Sequence, residues 1–82
     1  IEEVNAARNI KISLNERTLS ILGEHSIVGM NATVHNMNGQ LIHSFLIEHP
    51  EHQEDLNGLV NGIYLLDLRS NKYRKTIKFI YQ

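Results

Sequence analysis

Cysteine and tryptophan are absent from these 82 residues, proline occurs once and phenylalanine twice. Without cysteine no disulfide can staple the chain, and neither a thiol nucleophile nor a thiolate zinc site is available. That absence fits a reducing compartment and equally a secreted protein that avoids thiols, so it assigns no location. The few aromatics leave little of the stacking platform that sugars or single-stranded nucleic acids use. An excess of one charge sign is missing too: 8 Lys+Arg stand against 9 Asp+Glu, and like charges cluster no further than the pairs Glu2-Glu3 and Arg74-Lys75. A nucleic-acid partner, which demands a basic face able to displace counterions, is therefore not expected. No apolar run is long enough for a transmembrane segment, and Ile1-Glu2-Glu3-Val4 has neither the basic start nor the apolar middle of a signal peptide. The first residue is not Met, which fits an excised piece whose export signal lies upstream. The length holds one small domain and excludes a large multi-domain enzyme.

What is present is aliphatic, with ten Ile, ten Leu and four Val. These residues recur at spacing two. Ile10, Ile12 and Leu14 alternate with Lys11 and Ser13, Leu19 and Ile21 with Thr18 and Ser20, and Ala32 and Val34 with Asn31, Thr33 and His35. Each run predicts a strand with one wet face. Turn residues separate the runs at Asn15-Glu16-Arg17, Gly23-Glu24-His25, Asn36 to Gly39, Asn57-Gly58, Asn61-Gly62 and Ser70-Asn71-Lys72.

Asn38-Gly39 is the sharpest local signal and predicts a hairpin between Ala32–Met37 and Gln40–Ile47. A two-residue type I′ turn pairs Met37 with Gln40. A type I turn over Asn36 to Gly39 followed by a bulge pairs Asn36 with Gln40. The two registers send His35 and His43 to different partners and faces, and both remain open here. The following His49-Pro50-Glu51-His52-Gln53-Glu54 is too polar for a strand and reads as an exposed crossing loop. Ile63 to Leu68 reads as a central strand buried on both faces. Lys75 to Tyr81, alternating Ile77 and Phe79 against Thr76, Lys78 and Ile80, closes a second hairpin with it. Six to seven short strands of this rhythm predict an all-β fold, a compact Ig-like antiparallel β-sandwich, with its two hairpins in different or adjoining sheets.

Catalytic parts are scarce. The serines lack a nucleophile-elbow glycine pattern, and no Gly-rich turn opens a helix that could cradle phosphate. Asp55, Asp67 and Glu54 could be imagined as a glycosidase pair, but so small a domain offers no cleft around them, and Asp55 reads better as a turn residue. Five histidines invite a metal reading, with His49 and His52 able to hold an adventitious ion. A loop beside Pro50 supplies neither rigidity nor supporting contacts, so a solvated polar loop is the stronger reading. His35 and His43 read as cross-strand neighbours or rim residues. Tyr64, at a strand start, is expected to pack on the core and give its hydroxyl to a backbone carbonyl. No enzyme activity and no cofactor are expected.

Three ordered blocks resemble a known family. Val34-His35-Asn36-Met37-Asn38-Gly39-Gln40-Leu41-Ile42 is a strand entering a Gly-ended turn that continues into a Gln-Leu strand. Asp55-Leu56-Asn57-Gly58-Leu59-Val60-Asn61-Gly62-Ile63-Tyr64, running on into Leu65 to Leu68, matches an Asp-Leu-Ser-x-Leu-x-x-Gly-x-Tyr block with Asn57 at the Ser position. Lys75-Thr76-Ile77-Lys78-Phe79-Ile80 supplies a terminal strand with Lys before apolar residues. Together they resemble the C-terminal sorting domain of the type IX secretion system. The resemblance covers residues 8–82 and leaves 1–7 as a linker after an upstream cargo; the family's Asn-Pro opening is replaced by Asn5-Ala6-Ala7, and His35 stands where Tyr is common.

The resemblance implies an address in place of chemistry. A cargo protein in cis crosses the periplasm, is recognised by the outer-membrane translocon and usually loses the domain to a sortase as it is anchored at the cell surface or released. Gly39, Gly62, Tyr64, Lys75, Lys78 and Phe79 are the partner-recognition candidates it carries over. The glycines and Tyr64 also have the plainer role of shaping turns and core. Lys75 and Lys78 are expected to be exposed near a free terminal strand, which would also let two copies pair. The competing reading is an Ig-like accessory or adhesion module binding protein or glycan, which would need an exposed aromatic patch drawn from Tyr73 and Tyr81.

Overall fold

The computed structural model describes residues 10–23, 25–71 and 73–82. The expected linker over residues 1–7 lies outside them, as do Glu24 and Lys72 of two expected turns. Seven antiparallel strands form two sheets: β1 (Lys11–Asn15), β2 (Thr18–Leu22), β3 (Asn31–Asn36), β4 (Leu41–Leu46), β5 (Glu51–Asp55), β6 (Gly62–Arg69) and β7 (Arg74–Tyr81). One sheet has the order β1-β2-β5 and the other β4-β3-β6-β7. The all-β sandwich is as expected, with a 3-10 turn at His25–Ile27.

Alternation builds the core. Ala32 and Val34 of β3 stand opposite Leu68 and Leu66 of β6, and Tyr64 of β6 stands opposite Phe79 of β7. All are buried, and they meet Leu19 and Ile21 from β2 across the sandwich. Ile27, Met30, Ile47 and Leu56 seal the ends from the connections. Those connections are tied by backbone bonds: Gly23 N–H donates to the Pro50 carbonyl at 2.8 Å, Ile47 N–H to Met30 at 2.9 Å, and Leu56 N–H to Arg17 at 2.9 Å. Buried carbonyls and amides outside the ladders thereby find partners.

Two expectations about placement are corrected. Both expected hairpins, β3–β4 and β6–β7, lie in one four-stranded sheet, because β3 pairs along its whole length with β6. The supposed crossing loop contains β5. Its five residues, all polar, pair in register with β2, Thr18 opposite Asp55 through Leu22 opposite Glu51. The backbone of an apolar neighbour recruits it as an edge strand, so its own side chains do not need β character. Pro50 sits just before it, where a missing N–H costs no ladder bond.

The Asn38-Gly39 hairpin takes the bulged register. Gly39 N–H donates to the Asn36 carbonyl at 3.0 Å and Asn36 N–H to the Gln40 carbonyl at 3.1 Å, so Asn36 faces Gln40. The Asn36 side-chain oxygen also accepts from the amides of Asn38 and Gln40, each at 3.0 Å. Gly39 holds φ at +85°, the left-handed conformation that ends a type I turn followed by a bulge. A further shift between Val34 and His35 leaves Ile42 as an extra residue on β4, with Val34 opposite His43 but His35 opposite Leu41. His35 and His43 are consequently not cross-strand neighbours and face opposite sides of the sheet.

Candidate functional site

The six candidates divide by environment. Tyr64 and Phe79 are buried, their rings stacked at 6.0 Å, and the Tyr64 hydroxyl donates to the Val60 carbonyl as expected of a core phenol. Gly39 lies exposed at the hairpin tip, and Gly62 starts β6 opposite Tyr81. A Cβ would meet nothing within 4 Å at either glycine. Lys78, opposite Leu65, is exposed on the outer face of the four-stranded sheet. Lys75, opposite the inward Leu68, is half-buried on the other face, which corrects the expectation that both lysines are exposed. Strand alternation forces this, since residues three apart point to opposite faces. The six therefore form no single patch.

The aromatic patch of the adhesion reading is not assembled. Tyr81 is fully buried, with its hydroxyl donating to the Leu56 carbonyl at 2.7 Å. Tyr73 packs against the core, and its buried hydroxyl finds no partner among the described residues. Burial pushes its pKa up from the ordinary 10.0, because the phenolate would be poorly solvated there.

Among the described residues two polar clusters stand out, and the sequence singles out Glu54, Asp67, His43 and His52 without bringing them together in these groups. At the seam between the sheets, Glu54 of β5 joins two histidines: His43 Nε2 of β4 donates to Oε2 at 2.8 Å and His52 Nε2 to Oε1 at 3.0 Å. The Phe45 ring stacks on His52 at 5.2 Å. His52 Nδ1 accepts the Glu48 backbone N–H at 3.3 Å, which places the ring proton on Nε2. His52 turns inward while His49 is exposed, so the two rings face different surroundings. Among the described residues, no three His, Cys, Asp or Glu side chains converge to hold a metal ion. The cluster is a polar rivet between β4 and β5.

The second cluster lies on the outer face of the four-stranded sheet. Asp67 of β6 is only 5% exposed. Its carboxylate accepts from Arg69 Nη2 at 3.2 Å, Arg74 Nε at 3.3 Å and Thr76 Oγ1 at 3.4 Å, and Arg74 Nη2 stands within ion-pair distance at 3.3 Å. A buried carboxylate needs such a shell. The sequence signal for it was available: Asp67 interrupts an apolar run, and Arg74 and Thr76 lie across a short turn from it. Around the cluster the same face carries Lys78 and the exposed aliphatics Leu41, Ile63 and Ile80.

This arrangement can bind and be bound, and its described residues bring together no nucleophile, base and oxyanion-stabilising group of the kind that catalysis requires. Among the described residues, no helix is long and apolar enough to cross a membrane. A family model described as the secretion system C-terminal sorting domain matches residues 5–82. Neither the curated proteins nor the solved structures yield a match to the chain.

Proposed function

The chain belongs to the family of secretion system C-terminal sorting domains, those of type IX secretion, and on that footing we propose that it delivers an attached cargo protein through the translocon to the cell surface. Membership supports a sorting signal, with a cargo in cis and export to the surface or the extracellular space as its consequence. The family is generally non-catalytic. The observation that carries the reading is the match over essentially the whole folded domain. The buried aliphatic core and the scarcity of catalytic parts suit a domain that acts by being recognised.

Beyond that coarse statement, the domain passes the periplasm folded, engages the translocon and then a sortase, and is cleaved as cargo is attached. Residues 1–7 act as the linker to cargo, and 8–82 as the recognised unit. Gly39 and Gly62 set backbone shape for recognition, Tyr64 and Phe79 hold the strands that are read, and Lys75 and Lys78 offer charge beside the terminal strand β7. Among the described residues, that strand ends its sheet, and such an edge suits strand addition by a translocon component or by a second copy.

The test is a reporter preceded by a signal peptide and followed by residues 1–82, expressed in a host with type IX secretion. Reporter at the cell surface is expected, and removal of residues 76–82, most of β7, abolishes it. A reporter retained in the periplasm with the intact domain overturns the proposal.

A further inference from the structure

Lys75 and Lys78 lie on opposite faces of β7, so they cannot together make a charged patch, yet the outer face of the four-stranded sheet is basic without Lys75. Reading outward-facing positions across β4-β3-β6-β7 gives three rungs: Leu41, His35, Leu65 and Lys78; then Ser44, Thr33, Asp67 and Thr76; then Leu46, Asn31, Arg69 and Arg74. Three cations stand against one carboxylate. The nearly neutral net charge hides this, because Glu48, Glu51, Glu54 and Asp55 gather in and beside β5 on the other sheet.

The last rung is an unusual one. Arg69 and Arg74 are directly opposite each other, a like-charge pair that destabilises a sheet when nothing compensates it. Asp67 neutralises one of the two charges and orients both guanidinium groups. Arg69 spends one nitrogen and Arg74 two on that carboxylate, while their side chains stay 57% and 64% exposed. Each guanidinium keeps N–H donors facing solvent in a fixed plane, the arrangement that receives a carboxylate bidentately.

Aliphatic side chains complete the surface. Two shallow cavities flank His35: one of about 290 Å³ runs between Leu41 and Arg69, the other of about 280 Å³ between Leu65 and Arg74. Each leads from an aliphatic end to a guanidinium end. Leu65 and Arg69 are four residues apart on β6, roughly 13 Å at the strand rise of about 3.3 Å per residue. An extended polypeptide places side chains four residues apart on one face at that same distance. A lipid surface would ask for aliphatics projecting at one level beyond the charges, whereas here a polar rung of Ser44, Thr33, Asp67 and Thr76 separates them.

From this charge complementarity we infer that the outer face of β4-β3-β6-β7 is the docking surface for an extended acidic protein segment, with an aliphatic side chain against Leu41 and Leu65 and a carboxylate four residues away on Arg69 and Arg74. The inference deepens the sorting reading by naming the chemistry of the partner, and it rests on that reading only for its cellular role.

The direct test titrates the isotope-labelled chain with a peptide repeating Leu-Thr-Ser-Thr-Glu-Thr-Ser-Thr, and with the same peptide carrying Gln for Glu, while amide resonances are followed. The acidic peptide is expected to shift residues of β3, β6 and β7, with affinity falling about tenfold for the Gln peptide as the charge-assisted bonds are lost. Removing the arginines alone would strand buried Asp67, so the variant is D67N/R69Q/R74Q, joined by Lys78→Glu, which leaves the cluster intact. Both should weaken binding while keeping a folded spectrum. No shifts at millimolar peptide, shifts confined to the three-stranded sheet, equal response to both peptides, or binding to phosphatidylglycerol vesicles in place of peptide overturns the inference. In the reporter host, wild-type export with equal export of both variants also overturns it and leaves the sorting proposal standing. Retention of the wild type overturns the sorting proposal, and the peptide titration still decides the surface.

Discussion

The two outer faces of the sandwich are built from the same strand geometry and carry opposite kinds of surface. On the three-stranded sheet the rungs read Lys11, Leu22 and Glu51; Ser13, Ser20 and Gln53; and Asn15, Thr18 and Asp55. These are mostly short hydroxyl and amide side chains whose needs water satisfies. On the four-stranded sheet a carboxylate is buried under two arginines, with exposed aliphatics one and two rungs away. The first face has a shallow cavity of about 450 Å³ lined by Lys11, Ser13, Ser20, Leu22 and Glu51. The second carries an ordered charge cluster, which the burial of Asp67 requires and on which the docking surface proposed above is built. The three-stranded sheet depends instead on its ends, on the β1–β2 turn and on the Gly23 junction.

The contrast breaks first at Asp67. Asp67→Ala leaves Arg69 and Arg74 facing each other uncompensated and should cost about 2–3 kcal/mol, less than a fully buried pair because both guanidinium groups are mostly exposed. Ser13→Ala on the other face should stay within about 0.5 kcal/mol. Urea unfolding of the two variants measures the difference, and equal costs would erase the distinction between the faces.

Gly23→Ala tests the junction of the three-stranded sheet. A Cβ there would sit 2.8 Å and 2.9 Å from carbons of the buried Ile27 side chain, so overpacking should cost about 2 kcal/mol. A thermal melt would register it, and a double variant Gly23→Ala, Ile27→Ala that loses less than the sum of the two single variants would assign the loss to that contact. The β1–β2 turn offers the opposite sign. Glu16 and Arg17 hold φ at +52° and +70°, conformations that favour Asn and Gly. Replacing them with Asn and Gly should raise stability by about 1–2 kcal/mol in the same assay.

A smaller gain belongs to Tyr73. Tyr73→Phe removes a buried hydroxyl that finds no partner among the described residues and should gain about 1 kcal/mol. Because burial raises the folded-state pKa above 10.0, the native state holds the phenolic proton more tightly than the unfolded chain. Stability is then undiminished below pH 10 and falls as pH climbs from there through the folded pKa. Unfolding curves at alkaline pH should show a slope that Tyr73→Phe reduces.

Much of the fold was legible because alternation is a local property. Ile10 to Leu14, Leu19 to Ile21, Ala32 to Val34 and Ile77 to Phe79 each announce a strand without reference to a partner. The Tyr64 role was legible for the same reason, a phenol at a strand start beside core residues. β5 was not, since Glu51 to Asp55 becomes a strand only by pairing with β2. The hairpin register was undecidable from Asn38-Gly39, because both turns use those residues; the Asn36 side chain bonding two amides settles it. Lys75 and Lys78 looked like a pair in the sequence and are separated by the pleat.

The sequence by itself determined the class of fold, the positions of most strands and turns, and the family to which the chain belongs, because periodicity, turn chemistry and ordered motifs are written in neighbouring residues. The tertiary structure alone decided which strands share a sheet and how charge is distributed. Pairing β3 with β6 brought Thr33 opposite Asp67, and the β6–β7 hairpin brought Arg69 opposite Arg74. A net charge near zero thereby became a basic outer face on one sheet and an acidic strand on the other, since charge balance is a sum over the chain and a surface is a matter of which residues the fold puts side by side.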